Sequence, residues 1–267
     1  ALNIQPSDPE TLNNKGTVLQ YLNRFDESLN CYDAAIGIAP SYSEAYNNRG
    51  NCLKVMKRFH DAIDSYDSAL SLNPQYLDAL CNKGIIFRDI KKYLEALDCF
   101  DNAIRSNVYY QRGWLERGTT LLELQHYSDA LRCFDRALEI QSDYDEALTS
   151  KGICLDKLGR HTEAVSCFEA AISRNPNISW LIGYLIRSTQ MIGMWDELDK
   201  NLAILERYIS KGVSCISPFT ALSISDQLSL HAYIAKQWVN SRLPLKNIFP
   251  EIEKKEHKKI RIGYFSG

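Results

Sequence analysis

No apolar run in the chain approaches the ~18 residues that a membrane-spanning helix needs. The start lacks a positively charged segment followed by an apolar stretch, which removes the pattern of a secretory signal and makes the cytoplasm the expected location. Charge of one sign is missing as well. With 31 Lys and Arg against 33 Asp and Glu, the formal net charge of −2 gives no global electrostatic reason to expect nucleic acid as a partner. Among eight cysteines there is no Cys-x-x-Cys pair, so the common zinc and redox signature is absent. What remains is a chain of 267 residues, 45% hydrophobic and 24% charged, with the composition of a water-soluble protein.

What is present is a period. Ala1, Ala35, Ala69, Ala103, Ala137 and Ala171 stand 34 residues apart, and self-similarity at a spacing of about 20–50 residues marks a repeat architecture. Glycine recurs at Gly16, Gly50, Gly84, Gly118 and Gly152, and small residues at Ser28, Ala62, Ala96, Ala130 and Ala164. One ring column holds Tyr32, Tyr66, Phe100, Phe134 and Phe168, and a second holds Phe25, Phe59, Tyr93, Tyr127, His161 and Trp195. Pro6, Pro40, Pro74 and Pro176 close units. Ala1 falls late in a unit, so the chain is expected to open inside a repeat with part of that repeat before it.

Each unit reads as two amphipathic helices. Leu12, Gly16 and Leu19 fall at i, i+4 and i+7 on one face, and Ala62, Tyr66 and Ala69 do the same for a second helix. Small residues let the axes approach, the ring at Tyr66 or Phe100 fills the groove between them, and proline ends the second helix. The columns resemble the tetratricopeptide repeat family. The resemblance implies an all-α fold, a right-handed superhelix or α-solenoid, whose stability comes from stacking. Five repeats are expected at 9–42, 43–76, 77–110, 111–144 and 145–178, preceded by the end of another at 1–8. A degenerate sixth pair follows at 179–212, where Ile186 replaces glycine and Leu198 and Leu205 replace alanine.

The cysteines follow the same period. Cys31, Cys99, Cys133 and Cys167 share one column, with Ser65 in the gap, and Cys52 and Cys154 share another. Equivalent helices in a stack lie at least about 8–10 Å apart, too far for a disulfide or a shared zinc. They read as buried packing residues, and no metal site is expected.

In the family the first helix of each unit lines the concave surface. The position two before the glycine carries Asn14, Asn48 and Asn82, then Glu116 and Ser150, with Asn13, Asn47 and Asn51 beside this line. An amide both donates and accepts, so a ladder of asparagines can hold the backbone of an extended peptide; Asn13, Asn14, Asn47, Asn48, Asn51, Asn82 and Glu116 are the candidate peptide-binding residues. The Lys, Asn and Arg set with which some family members grip a terminal carboxylate is not assembled, since Asn13, Asp78 and Asn82 stand at its positions. Lys15, Arg49, Lys83, Arg117 and Lys151 precede the glycines and read as a salt-bridged stripe.

Beyond 212 the pattern changes. A linker and helix are expected over 213–250, with Leu228, Ala232, Ile234, Ala235 and Trp238 on the helix, then a charged linker and a short terminal strand over 251–267. The stretch from Ser217 to Leu222, the helix through Gln227, His231 and Trp238, and Lys259 to Ser266 resemble the junction in bacterial relatives of the protein O-linked N-acetylglucosamine transferases and SPINDLY, glycosyltransferase family 41. There, the strand begins a Rossmann-like catalytic lobe. The resemblance implies a parent enzyme that moves a sugar from a nucleotide sugar, UDP-N-acetylglucosamine, to Ser or Thr of proteins. No catalytic residue carries over to this chain, and no cofactor is expected in it. The implied role is recruitment of acceptor proteins in extended form; the alternative is a free-standing scaffold, and self-association of the chain is a third role.

Overall fold

The computed structural model describes residues 8–176, 178, 180–211, 232–236 and 239. Among them twelve helices run in six hairpin pairs: α1 (Pro9–Tyr21) with α2 (Phe25–Ile38), α3 (Ser43–Val55) with α4 (Phe59–Leu72), α5 (Leu77–Asp89) with α6 (Tyr93–Ser106), α7 (Gln111–Glu123) with α8 (Tyr127–Ile140), α9 (Asp145–Lys157) with α10 (His161–Arg174), and α11 (Leu181–Met191) with α12 (Trp195–Ser210). The fold is an all-α solenoid. Residues 232–236 are helical too, and Ile234 is buried while the Tyr233 hydroxyl donates to the Ile209 carbonyl at 3.0 Å, seating this turn on the end of α12. The expected terminal strand at 251–267, His231 and most of the 213–250 linker lie outside the described residues.

The five rings of the first column, Tyr32, Tyr66, Phe100, Phe134 and Phe168, are wholly buried. Each contributes roughly 1.5–3 kcal/mol of burial, and each explains a glycine. A Cβ added at Gly84 would come within 2.6 Å of the Phe100 ring, and one at Gly118 within 2.6 Å of Phe134. The ring therefore lies flat on the backbone of the first helix, a position no side chain can share. The sixth pair exchanges sizes: Ile186, fully buried, takes the glycine position, and the half-buried Leu202 takes the ring position. Trp195 departs from its column. It is 62% exposed, whereas Phe25, Phe59, Tyr93, Tyr127 and His161 are half-buried, because its helix has no further repeat packed over it among the described residues.

Each first helix ends the same way. Leu22 is followed by Asn23 with φ 58°, and Arg24 donates its amide to the Leu19 carbonyl at 2.9 Å, closing a left-handed C-terminal cap. Lys57, Lys91 and Gln125 hold the same left-handed backbone at φ 60°, 65° and 63°; only Gly159 and Gly193 supply glycine there.

The seven described cysteines are free and buried. Burial pushes the Cys81 thiol up to about 12 and those of Cys99 and Cys154 to about 11, so they pack as small apolar groups. Among the described residues no helix is long and apolar enough to cross a membrane.

Candidate functional site

Along the stack, each first helix packs on the first helix of the next pair: α1 on α3, α3 on α5, α5 on α7, α7 on α9, and α9 on α11. Successive second helices make no comparable contact. A row of rods that touch along one side and splay along the other curves toward the touching side, so the first helices form the inner face.

The asparagines meet across this face, on a staggered line. Asn48 donates through Nδ2 to Oδ1 of Asn13 at 3.0 Å, and Asn82 does the same to Asn47 at 3.0 Å. Asn47 donates to Asn48 within α3, and Arg112 donates to Asn82 at 2.6 Å and to Asp78 at 3.0 Å. The seven candidates therefore divide. Asn13, Asn47 and Asn82 are 1%, 5% and 4% exposed and spend their amides on neighbouring helices. Glu116 accepts from Arg88 at 2.7 Å, both side chains being largely covered. Asn14 is exposed and stands apart from the chain of amides. The straight ladder Asn14, Asn48, Asn82 is thus replaced by pairs offset by one residue. Successive helices are rotated so that position −3 of one faces position −2 of the next.

Asn48 and Asn51 keep access to solvent. They line an open cleft of 390 Å³ between α1 and α3 together with Thr17, Gln20, Tyr21 and Val55. Tyr21 is 84% and Val55 51% exposed, and the Asn51 oxygen accepts from the Tyr66 hydroxyl at 2.8 Å. Amide, ring and aliphatic side chain in one shallow cleft suit a polypeptide, which offers backbone amides and alternating side chains together. Further along, Lys54 sits half-covered near Arg112 and Arg88, and burial, reinforced by Arg112, holds its ammonium below the usual lysine range.

Family models for the tetratricopeptide repeat match residues 9–42, 43–76 and 115–177. The chain is a tetratricopeptide repeat protein. Solved structures agree on the fold. A tetratricopeptide repeat protein from Parabacteroides merdae is 19% identical, with a TM-score of 0.61, covering 87% of this chain and 99% of its own. PilF of Pseudomonas aeruginosa is 16% identical, with a TM-score of 0.67 over 74% of this chain and 90% of its own. YrrB, described as a tetratricopeptide repeat protein with an unusual peptide-binding site, is 24% identical, with a TM-score of 0.51 over 77% of this chain and 97% of its own. No curated protein sequence matches the chain.

Within the tetratricopeptide stack the basic stripe is structural. Arg49 pairs with Asp33 at 2.7 Å, Arg117 with Asp101 at 2.6 Å and Lys151 with Asp135 at 2.6 Å, while Lys83 pairs with Asp67; each bridges to the second helix of the preceding repeat. A tyrosine column escaped the sequence reading although it keeps the 34-residue period. Tyr42, Tyr76, Tyr110 and Tyr144 stand at the N-caps of α3, α5, α7 and α9. The Tyr42 hydroxyl accepts from Asn13, and the Tyr110 hydroxyl donates to Asp78 at 2.7 Å, so these rings edge the inner face. Among the described residues no cluster of three metal-ligating side chains occurs.

Proposed function

We propose that the inner face of the stack recruits partner proteins by holding a segment of them in extended form. The observation that carries this is the cleft between α1 and α3, where Asn48 and Asn51 remain accessible beside the exposed Tyr21 and Val55. YrrB, a stack of the same fold described as having an unusual peptide-binding site, supports the same use. On the resemblance of residues 213–267 to the family 41 junction, the recruited segments are acceptors whose Ser or Thr is delivered to a sugar-transferring domain. UDP-N-acetylglucosamine is the donor in that reading, and the cytoplasm is the compartment. Tethering raises the local concentration of weakly held acceptors without any new contact at the reacting hydroxyl.

The test is transfer of labelled sugar by the full-length parent to a panel of protein acceptors. Replacing Asn48 and Asn51 with Ala raises KM for long acceptors and leaves kcat on short peptides unchanged. Unaltered transfer to every acceptor overturns recruitment. A free-standing scaffold for protein complexes is the rival reading; it is favoured if the parent transfers no sugar while the same substitutions still release a bound partner.

A further inference from the structure

The inner face carries a second cleft of 560 Å³ where α9 meets α11. Asp143, Asp145 and Glu146 line it, with Trp180, Ile153 and Ile178 beside them. Of the three carboxylates, Asp145 has a guanidinium near it, that of Arg174. It stands 3.9 Å from Asp145 and already donates to the Ser142 carbonyl at 3.0 Å. Thr149 also lines the cleft. It is 6% exposed, and its hydroxyl has no hydrogen-bond partner, as is true of Oδ1 of Asp145 one turn earlier. Other helical threonines are satisfied locally: Thr119, Thr120 and Thr189 each donate to the carbonyl four residues back.

The repeat register explains the orphan. Asn48 reaches back to Asn13 and Asn82 to Asn47, each across 35 residues. Tyr184 is the residue 35 beyond Thr149, and its ring packs with Phe168 and Trp180, at 5.9 Å from each. Arg112 reaches back 34 residues to Asp78, whereas the residue 34 beyond Glu146 is Trp180. At these two positions the sixth pair thus presents rings where earlier repeats present amides and a guanidinium, and Thr149 and Oδ1 of Asp145 are left without a hydrogen-bond partner, whereas Asp156 further along α9 still accepts from Ser188 of α11 at 3.0 Å. Buried polar atoms left in this state are costly, and a ligand that pairs them recovers that cost on binding.

We propose that this cleft is a subsite for one cationic side chain, arginine or lysine, of an extended partner segment. The proposal rests on the recruiting role argued above and names the chemistry of what is recruited. The alkyl stem lies along Ile153, Ile178 and the face of Trp180, and the cationic head donates to Asp145, Glu146 and the Thr149 hydroxyl. Hydrogen bonds between ionised partners are the stronger kind, and an exposed Trp face adds cation–π attraction. A divalent metal does not match, since no three ligating side chains converge among the described residues.

The experiment titrates dye-labelled nonapeptide pools, randomised except for a fixed central residue, onto the whole chain and follows fluorescence anisotropy. Pools centred on Arg or Lys bind about tenfold more tightly than the pool centred on norleucine, and the Glu pool binds weakest. The double substitution Asp145→Asn with Glu146→Gln brings the Arg pool down to the norleucine level. Thr149→Val weakens the Arg pool about threefold. In both variants the norleucine pool is unchanged, which reports that the stack is still folded. Equal binding of the Arg and norleucine pools, or a preference that survives the double substitution, overturns the subsite. If Asn48→Ala then still weakens every pool alike, the recruiting face stands without it. Absence of binding by every pool overturns both.

Discussion

The first four repeats and the last two helix pairs differ in how completely the polar groups of their first helices are paired. Between α1, α3, α5 and α7 the inner-face contacts are polar and paired: asparagine to asparagine twice, then Arg112 to Asn82 and Asp78, and Arg88 to Glu116. Between α9 and α11 one buried hydrogen bond remains, from the Ser188 hydroxyl to Asp156 at 3.0 Å, but the Thr149 hydroxyl and Oδ1 of Asp145 find no hydrogen-bond partner. A polar residue on a helix face is a structural spine where the next repeat answers it, and it is free for a ligand where the next repeat does not. In the core the contrast repeats, with a ring over glycine in the first five pairs and Leu202 beside Ile186 in the sixth.

Five substitutions sharpen that contrast, each read from the urea midpoint. The largest effect is in the core: Phe100→Ala empties a fully buried ring site and costs about 3–5 kcal/mol, whereas Leu202→Ala, at a half-buried position, costs about 2 kcal/mol. Equal costs would mean that the sixth pair packs as tightly as the third. On the inner face, Asn82→Ala removes a buried amide bonded to Asn47 and Arg112 and costs about 1–3 kcal/mol. Asn14→Ala, at an exposed site, changes stability by no more than about 0.5 kcal/mol. A similar loss at both positions would dissolve the distinction between spine and surface. The smallest effect is a gain. Lys91→Gly relieves the left-handed backbone that Gly159 already occupies in the fifth repeat, and it stabilises by about 0.5–1 kcal/mol.

Much of the fold was legible because a repeat writes each structural requirement several times. A glycine opposite a ring, recurring at Gly84 and Phe100 and again at Gly118 and Phe134, identifies a helix-to-helix contact before any coordinate is known. The cysteine columns were legible for the same reason, as was the stripe from Arg49 to Lys151, whose partners sit on neighbouring helices at one constant offset. Trp195 was not, since its column specifies a half-buried ring and its exposure depends on what packs over α12. The candidate site was legible only as a face. Asn13 and Asn14 are adjacent, about 100° apart around the helix, and sequence pattern assigns both to the inner side.

The 34-residue period by itself determined the helix pairs, their buried rings and the side on which the first helices gather, because those follow from local periodicity and nearest-neighbour packing. Only the tertiary structure decided which polar groups are consumed. The rotation between stacked helices sets whether Asn48 meets Asn13 or Asn14, and whether the Thr149 hydroxyl finds a partner. A hydrogen bond fails within an ångström of misplacement, whereas burial tolerates it. Apolar columns can therefore be read along a chain, and polar partnerships have to be seen in space.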